Sequence, residues 1–306
     1  MPDSKIRQAF LAGSWYPQNA GAVKYNIQSW SDYLPDMLAP PGRALGVVAP
    51  HAGWYFSGRL ASKTLELAAK TFGAEGPELV VVLGGHLGKD DHILGFEETH
   101  WSTPLEDMVL TPGHNKLLAG PPFSMRIWAG HTDDNTVEIL LPLVGHHFPK
   151  TPVWALRVPP NQSALDLGTL LAKYMGGRTE RDDKDGPALP SLPQRTLLVA
   201  STDLTHFGAR YRLAPVPPGE QGERFRKEND LTFINPAMDL NPGAMIEAGN
   251  RNLAACSAGA AAAVAQAAKM LGGGSLLVDH YSSYDVMPDE QSVGYAGLVY
   301  YLPDRA

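Results

Sequence analysis

The stretch "LVASTDLTHFG" (198–208) runs from apolar residues into a carboxylate, Asp203, and an imidazole, His206, flanked by hydroxyls. Two other apolar runs end similarly: "VVAPHAG" delivers His51 and "VVVLGGHLG" delivers His86. In open α/β sheets ligands bind outside the carboxyl ends of the strands, so these four residues meet in one crevice if the runs are neighbouring strands. A single histidine after a strand is most simply a hydrogen-bonded loop residue, but three at equivalent positions point to a site. Asp203 and Thr205 also suit a turn, because such side chains bond nearby backbone amides.

Cys256 is the chain's single cysteine. The pattern puts it near the start of a helix, where amide dipoles favour thiolate. Alone it reads as a small buried hydrophobe. Beside two neutral imidazoles it becomes a third ligand, and a two-His, one-Cys set suits copper or zinc, with ferrous iron also admitted. A cysteine nucleophile activated by histidine is the other chemistry, and the sequence leaves both open.

Glu138, set among Ile139, Leu140 and Leu141, either faces solvent or turns inward to a site. The segments "GSWYP" (13–17) and "GWYFSG" (53–58) supply Trp15, Tyr16, Trp54 and Tyr55, as core or as the wall of a planar, apolar substrate site. His146 and His147 fit a helix C-terminus, and His280 has no partner recognisable from spacing.

The elements that must position these residues alternate strand and helix, which predicts an α/β fold. Strands are predicted at 44–50, 78–84, 152–158 and 195–202, and a closing antiparallel pair at 275–285 and 292–302. Helices are predicted at 57–73 with Ser57 as N-cap, 133–148 kinked or divided by Pro142, 163–177, 220–235 and 252–271. The charged, proline-containing segment 178–194 reads as a surface loop insertion, because the alternation resumes unchanged after it. The expectation is one domain over 1–306, a central mixed sheet flanked by helices.

A net charge of -7 gives no basic footprint for nucleic acid, and one cysteine excludes an internal disulfide framework. Nothing approaches the roughly eighteen apolar residues of a membrane span, so neither a nucleic acid nor a membrane is expected as a partner, and the expected location is the cytoplasm.

The order "AGSWYP", "APHAGWYFSG", "VVVLGGH", "NTVEILLPL", "STDLTHFG", "NLAAC" and "SVGYAGLVYY" covers nearly the whole chain and resembles the Memo family, which is similar in fold to the class III extradiol dioxygenases. The resemblance implies a metal site at His51, His86 and Cys256, with His206 as acid or base beside Asp203. It also implies a dioxygenase-like redox reaction at one transition-metal ion, iron or copper, on a small, aromatic substrate. Trp15, Tyr16, Trp54, Tyr55 and Glu138 are the residues expected to meet that substrate. The ring-cleaving relatives carry a carboxylate where Cys256 stands, which admits copper chemistry in place of extradiol cleavage. Other readings are a zinc hydrolase, or an adaptor that binds a peptide in the same cleft. The chain also departs from the usual family pattern. Gly85-His86-Leu87 replaces a Pro-Ser-His-His run, Asn135-Thr136 replaces His-Ser ahead of Glu138, and Ser257 follows Cys256 where glycine is common.

Overall fold

The computed structural model describes residues 5–128, 130, 134–176 and 192–303. Four apolar runs form a parallel core: β1 (Gly42–Ala49), β2 (Leu79–Gly84), β3 (Val153–Arg157) and β4 (Thr196–Ser201). They lie in the order β1, β4, β2, β3. β5 (Gly274–Ser282) and β6 (Ser292–Pro303) form the antiparallel pair expected from the sequence, and β6 also pairs antiparallel with β1. The sheet is therefore mixed, and it counts nine strands among the described residues.

Side chains alternate across the sheet with period two. Val80 and Val82 enter one apolar layer and Val81 and Leu83 the other, all fully buried. The first layer is covered by α1 (Ala20–Ser29), α2 (Trp54–Ala69) and a divided pair, α3 (Asn135–Glu138) and α4 (Leu141–His147). The second is covered by α5 (Gln162–Met175), α6 (Glu220–Met238), α7 (Pro242–Asn252) and α8 (Ala258–Met270). The alanines of α8 let it lie close to the sheet. A Cβ on Gly46 of β1 would sit 2.4 Å from Val264 Cγ1. Among the described residues no helix is long and apolar enough to cross a membrane.

Several predicted boundaries move. Pro142 divides the 133–148 segment, taking an N-terminal position of α4 where its missing N–H costs no hydrogen bond. α2 starts at Trp54, not after Ser57. Gly53 is its N-cap, and Ser57 lies inside the first turn with its hydroxyl donating to the Ala52 carbonyl. The helix predicted at 252–271 starts only at Ala258, as α8; Asn252 is instead the last residue of α7, an unpredicted helix that ends where Leu253 adopts the left-handed conformation (φ 53°). β5 stops at Ser282, where a capping box with Asp285 starts a short turn of helix. The predicted 178–194 insertion lies outside the described residues except for its last three positions.

His147 ends α4, as its place at a helix C-terminus leads one to expect, but its ring turns inward. Its Nε2 lies 3.0 Å from the Ser62 hydroxyl on α2, and burial, with His146 beside it, depresses its pKa to about 3. The unfolded chain takes up this proton below about pH 6.5, whereas the folded chain holds the ring neutral. Stability from this group is therefore complete above pH 6.5 and falls as pH drops towards 3. Urea unfolding at pH 7 and pH 5 is expected to show a smaller pH-dependent loss of midpoint for His147→Gln than for the parent chain; equal losses would contradict this assignment.

Candidate metal centre

The central strand β4 is flanked by β1 and β2, and all three run parallel, so their carboxyl ends share one edge. His51 follows β1, His86 follows β2, and Asp203 and His206 follow β4. The expected convergence is present. His51 Nε2 lies 3.2 Å from His86 Nε2 and 3.3 Å from Cys256 Sγ, and the three donor atoms all lie within 4.8 Å of one another. Tetrahedral bonds to imidazole and thiolate, each about 2.0 to 2.3 Å long, separate donor atoms by about 3.3 to 3.6 Å, which the two spacings from His51 nearly match.

Each of the three donor side chains is held by its own local bonds. The Nδ1 of His51 lies 2.9 Å from the hydroxyl of Ser201, the last residue of β4, which leaves Nε2 for the site. The Asp203 carboxylate accepts from the backbone N–H of His51 (2.7 Å) and of Ala52 (3.2 Å), so one acidic side chain fixes the turn that delivers the imidazole. Its other oxygen lies 3.9 Å from His51 Nε2 and 4.0 Å from His206 Nε2.

His86 has a left-handed backbone (φ 57°), an uncommon conformation outside glycine that surrounding structure must hold in place. The Gly85 N–H donates to Thr136 Oγ1 (3.1 Å), Thr136 donates to Asp134, and Arg157 Nε at the end of β3 donates to the Gly85 carbonyl (2.9 Å). Thr136 thus supports the His86 loop.

Cys256 is not on a helix. It sits in the loop between α7 and α8, two residues before α8 begins. Ala255 bridges to Leu204, the Cys256 N–H donates to the Asp203 carbonyl (3.1 Å), and Sγ accepts from the Asp203 N–H (3.3 Å). The Ser257 N–H donates to Thr202 Oγ1 (3.0 Å). Burial alone would raise the thiol pKa. The imidazoles of His51 and His86, with the hydrogen bond between Sγ and His51, overcome that and hold it well below the ordinary range. Reciprocally, burial works against protonated His51, but the thiolate and Asp203 raise its pKa to about 9. Imidazole neighbours therefore replace the expected helix dipole as the source of thiolate character.

His206 begins a two-residue strand paired with the start of β6. The preceding Thr205 N–H donates to Asp230 Oδ1 (2.9 Å), and the Asp230 carboxylate is fully buried between Arg226 and His280 Nε2 (2.8 Å). This is the partner of His280 that spacing did not reveal, since it comes from α6. The ring of His206 stacks at a tilt on Tyr211, with centroids 4.9 Å apart, and its buried Nε2 makes no hydrogen bond.

The site opens into a cleft of about 690 Å³ lined by His51, His86, Asp203 and His206, with Trp15 and Tyr55 among its aromatic residues. Tyr16, Trp54 and Glu138 do not line it. Glu138 is buried and accepts from the N–H groups of Phe10 and Leu11 and from the Tyr16 hydroxyl, so it anchors the segment that presents Trp15. Trp54 is buried with its indole N–H on the Ile139 carbonyl. The polar groups of these three residues are taken by the chain itself. The cleft also includes Arg210, Tyr211, Ser283 and Tyr295, which no strand-end pattern singled out.

Gly85 and Ser257 meet in space. A Cβ on Gly85 would lie 2.3 Å from Cβ and Oγ of Ser257, so the bare backbone before His86 leaves room for the side chain after Cys256. Gly85→Ser is expected to destabilise the chain by about 1 to 3 kcal/mol through overpacking and to weaken metal uptake. Adding Ser257→Gly should restore part of both, since the Ser257 Cα would remain 2.8 Å from the new Cβ. Thermal unfolding and metal titration of the single and double variants test this; a double variant no better than Gly85→Ser would show that the two positions do not share the space.

The family described as Memo-like protein matches residues 7–299. Among curated relatives, a MEMO1 family protein of Methanopyrus kandleri is 27% identical over 96% of this chain and 98% of its own. MEMO1 family proteins of Nitrosopumilus maritimus and Methanococcoides burtonii are each 26% identical over 96% of this chain, and over 98% and 99% of their own lengths. Among solved structures, an uncharacterized protein of Escherichia coli K12 matches with a TM-score of 0.49 at 11% identity, over 85% of this chain and 100% of that one.

Proposed function

The chain belongs to the Memo-like protein family, and on that premise we propose that it is a mononuclear, metal-dependent oxidoreductase related to the class III extradiol dioxygenases. The observation that carries this reading is the convergence of His51 Nε2, His86 Nε2 and Cys256 Sγ from three loops distant in sequence, with the two histidines lining the cleft and Cys256 just behind them. Two imidazoles and a thiolate make a donor set for copper, iron or zinc, and the redox reading favours the first two. Such an ion, when bound, would supply electron transfer to and from substrate and dioxygen.

The chain's own groups have separate tasks. Asp203 holds the His51 turn through Oδ1 and turns Oδ2 towards His51 and His206. His206 keeps an unbonded Nε2 at the cleft, where it takes a proton from a substrate hydroxyl and later returns it. Its pKa is raised because the Cys256 thiolate and Asp203 outweigh burial, which helps it hold that proton. The substrate is a small aromatic molecule, with Trp15 and Tyr55 at the cleft and Tyr211 against the His206 ring.

Elemental analysis of chain purified without chelator or affinity-tag metal is expected to give about one iron or copper per chain, and catechols should then be screened with an oxygen electrode. A chain that takes up neither metal under anaerobic reconstitution would overturn the reading. Zinc with oxygen-independent turnover would move it to a hydrolase using a zinc-bound water.

A further inference from the structure

A second cavity, of about 340 Å³, approaches the same centre from another side. It shares only His206 and Tyr211 with the cleft, so this stacked ring pair is the partition between them. Of the three metal-ligand residues, Cys256 alone lines it. Its other walls include Leu87, Leu204, Leu213, Leu253 and Pro160, and Lys89 brings an ammonium group to the lining. The volume equals roughly eleven waters of liquid, too large for a single diatomic gas and at the lower end of ligand sites.

One wall is conformationally costly. Leu253 keeps a left-handed backbone, where glycine is the usual helix-ending residue, and leaves its large apolar side chain 54% exposed. An outlier of this kind is a reason to look for an occupant that covers the side chain.

We propose that this cavity is a ligand subsite for a small monocarboxylate with an apolar body of about ten heavy atoms, its body on the leucines and its carboxylate at Lys89. The charge of Lys89 selects an acid over a neutral molecule of the same shape, and Leu253 closes over the apolar body. An occupant so placed lies beside Cys256 while the cleft stays free. Its binding does not rest on the redox reading, because every group it uses belongs to the polypeptide.

The test uses metal-free full-length chain, 3-phenylpropionate and the matching neutral alcohol, 3-phenylpropan-1-ol, titrated by NMR. The acid is expected to bind with a millimolar or better Kd, as befits about eleven heavy atoms. Lys89→Ala should weaken the acid about three- to fivefold, the scale of a partly exposed ion pair, and leave the alcohol unchanged. Leu253→Gly, which suits the left-handed backbone and should fold well, is expected to weaken both probes several-fold, and Tyr55→Ala in the cleft should weaken neither. No binding up to about 10 mM would overturn the proposal. So would binding insensitive to Lys89→Ala and Leu253→Gly, or binding that responds only to Tyr55→Ala. Loss of metal uptake with probe binding intact would count against the redox reading alone.

Discussion

Replacing Cys256 with alanine is expected to lower metal affinity by two to three decades while leaving the fold of the metal-free chain in place. Structural zinc sites with four protein ligands bind with about 10 to 16 kcal/mol, so one ligand carries about 3 kcal/mol, a factor of more than a hundred. The thiolate share should be at least typical here. Sγ is the anionic member of the set, and it lies 3.3 Å from both His51 Nε2 and the Asp203 N–H. The fold should persist because the loop is also held by the Leu204 to Ala255 bridge and by the Ser257 N–H on Thr202, neither of which uses the sulfur. Competition titration against a chromophoric chelator, with circular dichroism of the metal-free forms, measures both quantities. Unchanged affinity in a folded variant would remove Cys256 from the ligand set.

His206→Ala is expected to cut turnover of whichever catechol the oxygen screen identifies by about a hundred- to ten-thousandfold, the span of a lost general acid or base. Metal content should stay near the parent value, because His51, His86 and Cys256 are untouched and Asp203 keeps its bonds to the His51 turn. The same variant separates the enzyme from the adaptor reading. A peptide-binding cleft should retain its affinity when this imidazole is lost, whereas proton transfer cannot survive at the parent rate. Parent-like turnover in the metal-loaded variant would remove His206 from the chemistry.

The strand-end histidines were legible because parallel strands impose a common direction on their carboxyl ends, so three apolar runs ending in His51, His86 and the Asp203 to His206 segment had to share an edge once their order was right. Pro142 was legible because a missing N–H has the same consequence in every helix. The late start of α8 was not, because leucine and alanine propagate a helix well and residue type does not mark the left-handed conformation that Leu253 adopts. That error carried Cys256 onto a helix it does not occupy. For Tyr16 and Trp54 residue type leaves core and substrate wall open, and for Glu138 solvent and an inward site; the partners that decide, such as the Phe10 and Leu11 amides on Glu138, lie more than a hundred positions away and leave no trace in local spacing. The same limit hid Asp230 behind His280.

The three donor atoms reach the centre from the ends of two strands and from the loop before α8, spread over more than two hundred positions of the chain. No short segment contains a chelating pair, so partly folded forms have little to offer an ion until β1, β4 and β2 are assembled and α8 has docked. An ion bound here acts as a late clasp across the molecule. It should slow hydrogen exchange at the remote start of α8 as much as at the histidine loops, and it makes metal retention a report on whether the whole chain has closed.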